Sequence, residues 1–237
     1  MSGLRPLSPP PKAKATKPVL DVAEWQQVEG RDVAALMDPR PTLIVSSRAS
    51  KKKTGFATII WATPISHKPP MVAFSLRARS HTMMTIQESG VFSISVLPPT
   101  EEGIRICETL GTRTGHMGFK GPMVAHHLVP VEFDKATVTE VEVPRLGLFR
   151  RTKVEEVVET VHVVTEVPVI DCATSWITCS VDHIEETGDH LLVVGNVIEA
   201  QTCAPRNTET GNLEPISVLQ CIQHGAYGKV ARICQDK

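Results

Sequence analysis

The chain has 237 residues, 41% of them apolar, and a formal net charge of −1 at pH 7. That length buries a real core in one large domain or two small ones, and the near-zero charge excludes a field that gathers nucleic acid or an acidic membrane. No apolar run approaches the roughly 18 residues of a membrane-spanning helix, and residues 1–17 are polar and proline-rich, unlike a secretory leader; the expectation is a cytoplasmic protein.

Met1–Pro18 carries five prolines, four basic residues and no acid. Such a segment buries little apolar surface and reads as a flexible arm, ahead of one domain over 19–237. Asp21–Met37 has helical spacing around Trp25, Val28 and Val33–Met37, with Gly30 as a weak point and Asp38-Pro39-Arg40-Pro41 as its end. Strand-like runs follow at Thr42–Ser47, Phe56–Trp61, Met71–Leu76 and Val91–Leu97. The basic stretch Arg48–Gly55 reads as a hairpin loop. The stretch Thr63–Pro70, TPISHKPP, is read as a rigid corner that cannot be strand, because its prolines lack ladder donors. Thr82–Ser89 and Glu101–Leu110 are expected as short helices, the second with Ile104, Cys107 and Leu110 on one face.

Beyond Pro130 the strand pattern returns. Val154, Val157, Val158 and Val161 have helical spacing, yet valine favours strand, and both readings stand. Ala173–Val181 and Leu191–Ala200 pair through a turn at Gly188-Asp189, and Val218–Arg232 is the last strand. Strands outnumber helices, so the expected class is mainly β: an antiparallel barrel with covering helices. The six cysteines form no C-x-x-C pair and are read as free thiols. His116, His126 and His127 match no compact ligand spacing, so no metal is expected.

The run TGFATIIWATPISHKPPMVAFSL, followed by RARSHTMMTIQESGVFSISVLPP, resembles the flavin reductase-like family of FMN-binding split barrels. GTRTGHMGFKG, ETGDHLLVVGNVIEA and HGAYGKVARI resemble three later pieces of that family in the same order, and the likeness spans roughly residues 38–232. It implies a split β-barrel, FMN as cofactor, and hydride transfer from NADH or NADPH to flavin. It also implies a homodimer and a small-molecule or protein electron acceptor. Two other readings stay open: a flavoredoxin-type electron carrier that does not use nicotinamide directly, and a non-catalytic ligand-binding barrel. Three features depart from the family pattern. Ser95 stands where relatives often have Asn, Phe119-Lys120 reverses the usual Lys-Phe, and the region 131–169 is extended, with Phe149, Arg150 and Arg151 placed to line an entrance, cover the barrel or widen a dimer interface.

The residue chemistry suits the same ligand. A phosphate dianion needs clustered NH, OH and cationic donors, which Arg77, Arg79, Ser80, His81 and Thr82 supply just before a helix start. A flat ring needs an apolar slot edged by backbone hydrogen bonds. The strand end Thr58, Ile59, Ile60, Trp61, Ala62 and Thr63 is expected to give that slot, with Ser75 and Leu76 among the cofactor-binding residues; the resemblance adds Ser95, in the place of the relatives' Asn, and Lys120, which either approaches the cofactor or the nucleotide or is a solvated loop lysine. His190, after Gly188-Asp189, is the expected catalytic residue beside the ring. No G-x-G-x-x-G segment is present, so a nicotinamide would stack on the flavin from an open face.

Overall fold

The computed structural model describes residues 27–50, 53–112, 120–144, 152–223 and 226–228. The expected arm, His116, the 149–151 cluster and most of the post-helix loop fall outside these residues. The backbone divides into two compact units, Met1–Leu36 and Met37–Lys237. Of the helix expected over Asp21–Met37, residues 21–26 lie outside the described ones; from Gln27 on there is one short helix, α1, Arg31–Ala35, entered through Gly30 at φ 60°. That left-handed residue breaks the helical run where glycine's weak propensity predicts a break.

The second unit is built on seven antiparallel strands. In chain order they are β2 (Leu43–Ser50), β3 (Lys53–Ile59), β4 (Ala62–His67), β5 (Pro70–Arg77), β6 (Val91–Val96), β9 (Ser175–Thr187) and β10 (His190–Thr202). Across the sheet their order is β3-β2-β6-β9-β10-β5-β4. The two edge strands, β3 and β4, are consecutive in sequence and joined only by Ile60-Trp61. Three backbone steps span at most about 11 Å, so the sheet must roll until its edges nearly meet. Contact between β3 and β5 marks the closure, and Ser75 N–H donates to Trp61 O at 2.9 Å, carrying the β4–β5 ladder up to the joint. The class is therefore mainly β, as expected, in the form of a split barrel.

Alternation along the strands sorts two cores. Val45, Ile59, Phe74, Phe92, Ile94 and Val193 fill one. There Phe74 and Phe92 meet edge to face at 5.0 Å, a geometry worth about 0.5–1.5 kcal/mol beyond burial. Helix α2, His81–Ser89, adds Met83 and Ile86 to it. On the other face, Ile44 and Phe56 pack under Ile106, Cys107 and Leu110 of α3, Glu101–Thr112. The face expected for α3 is thus the buried one.

The segment Thr63–Pro70 is a correction. Thr63–His67 belongs to β4 and pairs with β5, and the turn is confined to Lys68-Pro69. Proline is tolerated because β4 is an edge, where the missing N–H would face no ladder; the pairing shifts register between Pro64 and Ser66. Within the expected last strand the described residues form two short ones, β11 (Gln220–Gln223) and β12 (Ala226–Gly228), paired with each other, and β11 also pairs with β1, Arg40–Pro41.

The extended region is a two-stranded ribbon, β7 (His126–Pro144) against β8 (Thr152–Ile170). The valine-rich stretch is strand. At about 3.3 Å per residue, 19-residue strands run roughly 60 Å. The ribbon roots on β2 and β6. Val131 and Val167 bury against Val91, Ser93 donates to the Pro168 carbonyl, and Arg48 pairs with Glu166 at 2.6 Å.

Gly55 of β3 sits against the first turn of α2: a Cβ there would lie 2.7 Å from Thr82 Cα, a backbone atom. Gly55→Ala should push α2 off the sheet and lower stability by about 1–3 kcal/mol, the usual cost of overpacking. Urea unfolding with an unchanged m-value measures this.

Candidate functional site

A cavity of about 560 Å³ opens at the barrel seam, within the roughly 300–1,000 Å³ range of small-molecule sites. Its walls come from the end of β3 and the Ile60-Trp61 joint, the end of β5, the start of α2, the end of α3, Lys120 and the first residue of β10. The structure brings together Thr58, Ile59, Ile60, Trp61, Ser75, Leu76, Arg77, Arg79, Ser80, Thr82, Lys120 and His190. His81 also lines it, as do Phe56, Ala57, Leu110 and Gly111, which sequence reasoning missed. The α3 pair carries no polar signal and reaches the cavity only because α3 packs on β3.

Three expected residues lie elsewhere. Ala62 and Thr63 pair with Phe74 and Ala73 inside the edge ladder and line a second, apolar cavity of about 790 Å³ with Leu43, Val72, Ile94 and Ile177. The chain turns at Trp61, so residues on either side of it serve different spaces. Ser95 is fully buried and accepts the Ile170 N–H at 3.2 Å. It shares a strand face with Ser93, so its hydroxyl fastens the ribbon root instead of reaching the cavity.

The donor groups at one end are set by α2. Ser80 caps the helix, accepting the Met83 N–H at 3.1 Å, and its own O–H remains a donor. The first helical N–H groups and the positive end of the helix dipole therefore stand at the cavity wall. Arg77 and Arg79 flank this end, and both are exposed.

Register places His190 directly across from Arg77. Its Nδ1 bonds Asp189 Oδ1 at 2.7 Å, and this bond holds the Asp189 carboxyl below the usual carboxylate range. With Nδ1 engaged, Nε2 is the nitrogen left for a ligand. The ring leans on Trp61, centroid to centroid 5.0 Å and tilted 48°. Trp61 is 39% exposed, so it is a wall of the opening and not a core residue.

Lys120 is buried rather than solvated. Its ammonium donates to Leu110 O at 2.6 Å and to Phe56 O at 3.3 Å, satisfying a last-turn carbonyl of α3, and burial lowers its pKa. Among the described residues no aspartate or glutamate lines the cavity. Two arginines, a buried lysine, two histidines and a helix N-terminus facing an apolar strand end form a donor set suited to a ligand with an anionic group and a flat apolar body. An FMN fits that description.

The other titratable clusters are plainer. His126 packs edge-on against Phe56 and bonds Val124 O, while His127 pairs with Asp171. Among the described residues no group of three or more histidine, cysteine or acidic side chains could hold a metal ion.

The profile of the flavin reductase like domain family matches residues 38–220, and the chain belongs to that family. A search of curated proteins finds no match. Among solved structures, an FMN-binding protein from Thermus thermophilus with bound 1-cyclohex-2-enone is 19% identical, with 90% of this chain and 99% of that one covered at a TM-score of 0.64. Flavoredoxin from Methanosarcina acetivorans is 15% identical, covering 90% and 95%, at 0.61. An NADH:FAD oxidoreductase from Streptomyces globisporus C-1027, in complex with NAD and FAD fragments, is 16% identical, covering 89% and 100%, at 0.56. At these identities the likeness is one of fold.

Two tests follow from the local chemistry. Thr58 donates to Cys107 O at 2.8 Å, tying the cavity floor to α3. Thr58→Val should cost about 1 kcal/mol in urea unfolding, with Thr58→Ser close to wild type. Burial pushes the Cys107 and Cys179 thiols up to about 12, whereas Cys203 is exposed. At pH 8 a thiol reagent should therefore label Cys203 rapidly, and Cys107 and Cys179 only after unfolding, as peptide mass mapping would record.

Proposed function

We propose that the seam cavity binds FMN and that the protein is an NAD(P)H-dependent oxidoreductase of the flavin reductase type. The observation that carries this reading is the cavity in which a capped helix start and two arginines stand beside an apolar strand end, with no acid among its described lining residues. Arg77, Arg79, Ser80 and the α2 N–H groups would hold the phosphate. Backbone groups at Ala57–Trp61 would edge the ring, and Lys120 would face the ligand from the floor. When bound, the flavin supplies the two-electron chemistry; the chain supplies position, charge and exclusion of water. His190, held by Asp189 and leaning on Trp61, would present Nε2 to whatever reaches the open side of the ring. NADH and NADPH are both compatible with that opening. A second copy of the chain, covering exposed apolar side chains such as Ile65 and Val164, belongs to the same proposal.

The purified protein should be yellow or become so with added FMN, and anaerobic NADH or NADPH should bleach the visible bands. A yellow protein that ignores both nicotinamides would instead mark an electron carrier of the flavoredoxin type. A protein that takes up no flavin would refute the assignment. Placement of the phosphate has its own check. The Arg79→Ala, Thr82→Ala double variant should lose at least about tenfold in FMN affinity while binding riboflavin as wild type does. Equal affinity for FMN in both proteins would overturn that placement.

A further inference from the structure

The ammonium of Lys120 gives two of its three donors to backbone carbonyls and lines the cavity with the third available among the described residues. Among the described residues these carbonyls are its partners, and no acid is paired with its charge. Burial is what lowers its pKa, and among the described residues no aspartate or glutamate lines the cavity. A buried cation in this state is stabilised by a ligand that brings negative charge.

Which charge it meets follows from its place. The groups suited to a phosphate stand on the β5–α2 side: Arg77, Arg79 and the Ser80 cap. Lys120 stands on the β3–α3 side, fixed between Phe56 O and Leu110 O. There the floor is apolar, and a charge interaction is stronger than in water. A flavin ring gains negative charge on two-electron reduction near neutral pH, while its phosphate keeps the same charge in both states. A cation beside the ring therefore distinguishes the two redox states, and a cation beside the phosphate does not.

We propose that Lys120 couples reduction to retention: its ammonium holds reduced flavin more tightly than oxidised flavin, so flavin stays in the cavity as a resident cofactor instead of leaving as a reduced product. This rests on the seam cavity being the flavin site. It also predicts a midpoint potential for bound FMN above that of free FMN, because tighter binding of the reduced form favours reduction.

The test measures dissociation constants for oxidised FMN and, anaerobically, for chemically reduced FMN. It uses the wild type, Lys120→Met and Lys120→Arg, with the bound potential read against a reference dye. The wild type should bind reduced FMN at least about tenfold more tightly than oxidised FMN, which for a two-electron couple is a rise of about 30 mV. Lys120→Met should abolish that ratio, and Lys120→Arg should keep most of it. Equal weakening of both states in Lys120→Met would overturn the proposal and make Lys120 a phosphate cation. Unchanged affinities would overturn it too, leaving Lys120 as a strut at the end of α3. If Lys120→Met does not fold, the wild type decides: a bound potential at or below that of free FMN defeats the idea while leaving the flavin site intact. A wild type that binds FMN in neither state removes the site itself, and the inference falls with it.

Discussion

The two-residue joint Ile60-Trp61 constrains the rest of this protein. Because β3 and β4 are the opposite edges of a seven-stranded sheet, a joint this short dictates closure. Closure in turn leaves a seam between the end of β3 and the end of β5. The cavity lies at this seam. Its walls are therefore a consequence of topology before any side chain is chosen. Helix α2 then presents its first turn to the same opening because Gly55 removes the side chain that would hold it away.

Much of this was legible in the sequence, and for identifiable reasons. The strands β5, β6, β9 and β10 alternate or run apolar between turn residues, and Gly188 at φ 64° supplies the left-handed turn its hairpin needs. The cation and hydroxyl cluster before α2 was visible as composition just ahead of a helix start. What stayed hidden depends on which face or edge a residue occupies. Thr63–His67 reads as a corner because proline is excluded from ladders, but that exclusion lapses on an edge strand, and edge position is a property of the whole sheet. Ser95 is expected at the ligand because it stands where relatives often have Asn; its hydrogen bond from Ile170 N–H shows that it faces the ribbon.

Lys120 and the ribbon show two further limits. A loop lysine has a long flexible stem, and whether its head reaches water or two carbonyls is decided by the packing of α3 on β3. The valine spacing of 154–161 fits both a 3.6-residue and a 2-residue period over one short window. Pairing with the complementary strand, in unbroken register from His126↔Ile170 to Pro144↔Thr152, resolves it. In both cases the deciding partner is distant in sequence, where local pattern carries no information.

The cationic lining of the seam cavity has a kinetic side. The chain as a whole carries almost no net charge, so an approaching anion feels little until it is within about one Debye length, roughly 8 Å at physiological ionic strength. Long-range steering is then weak, and the cations act on a molecule already at the mouth. Added salt should shorten the dwell time of an anionic guest far more than it slows the encounter.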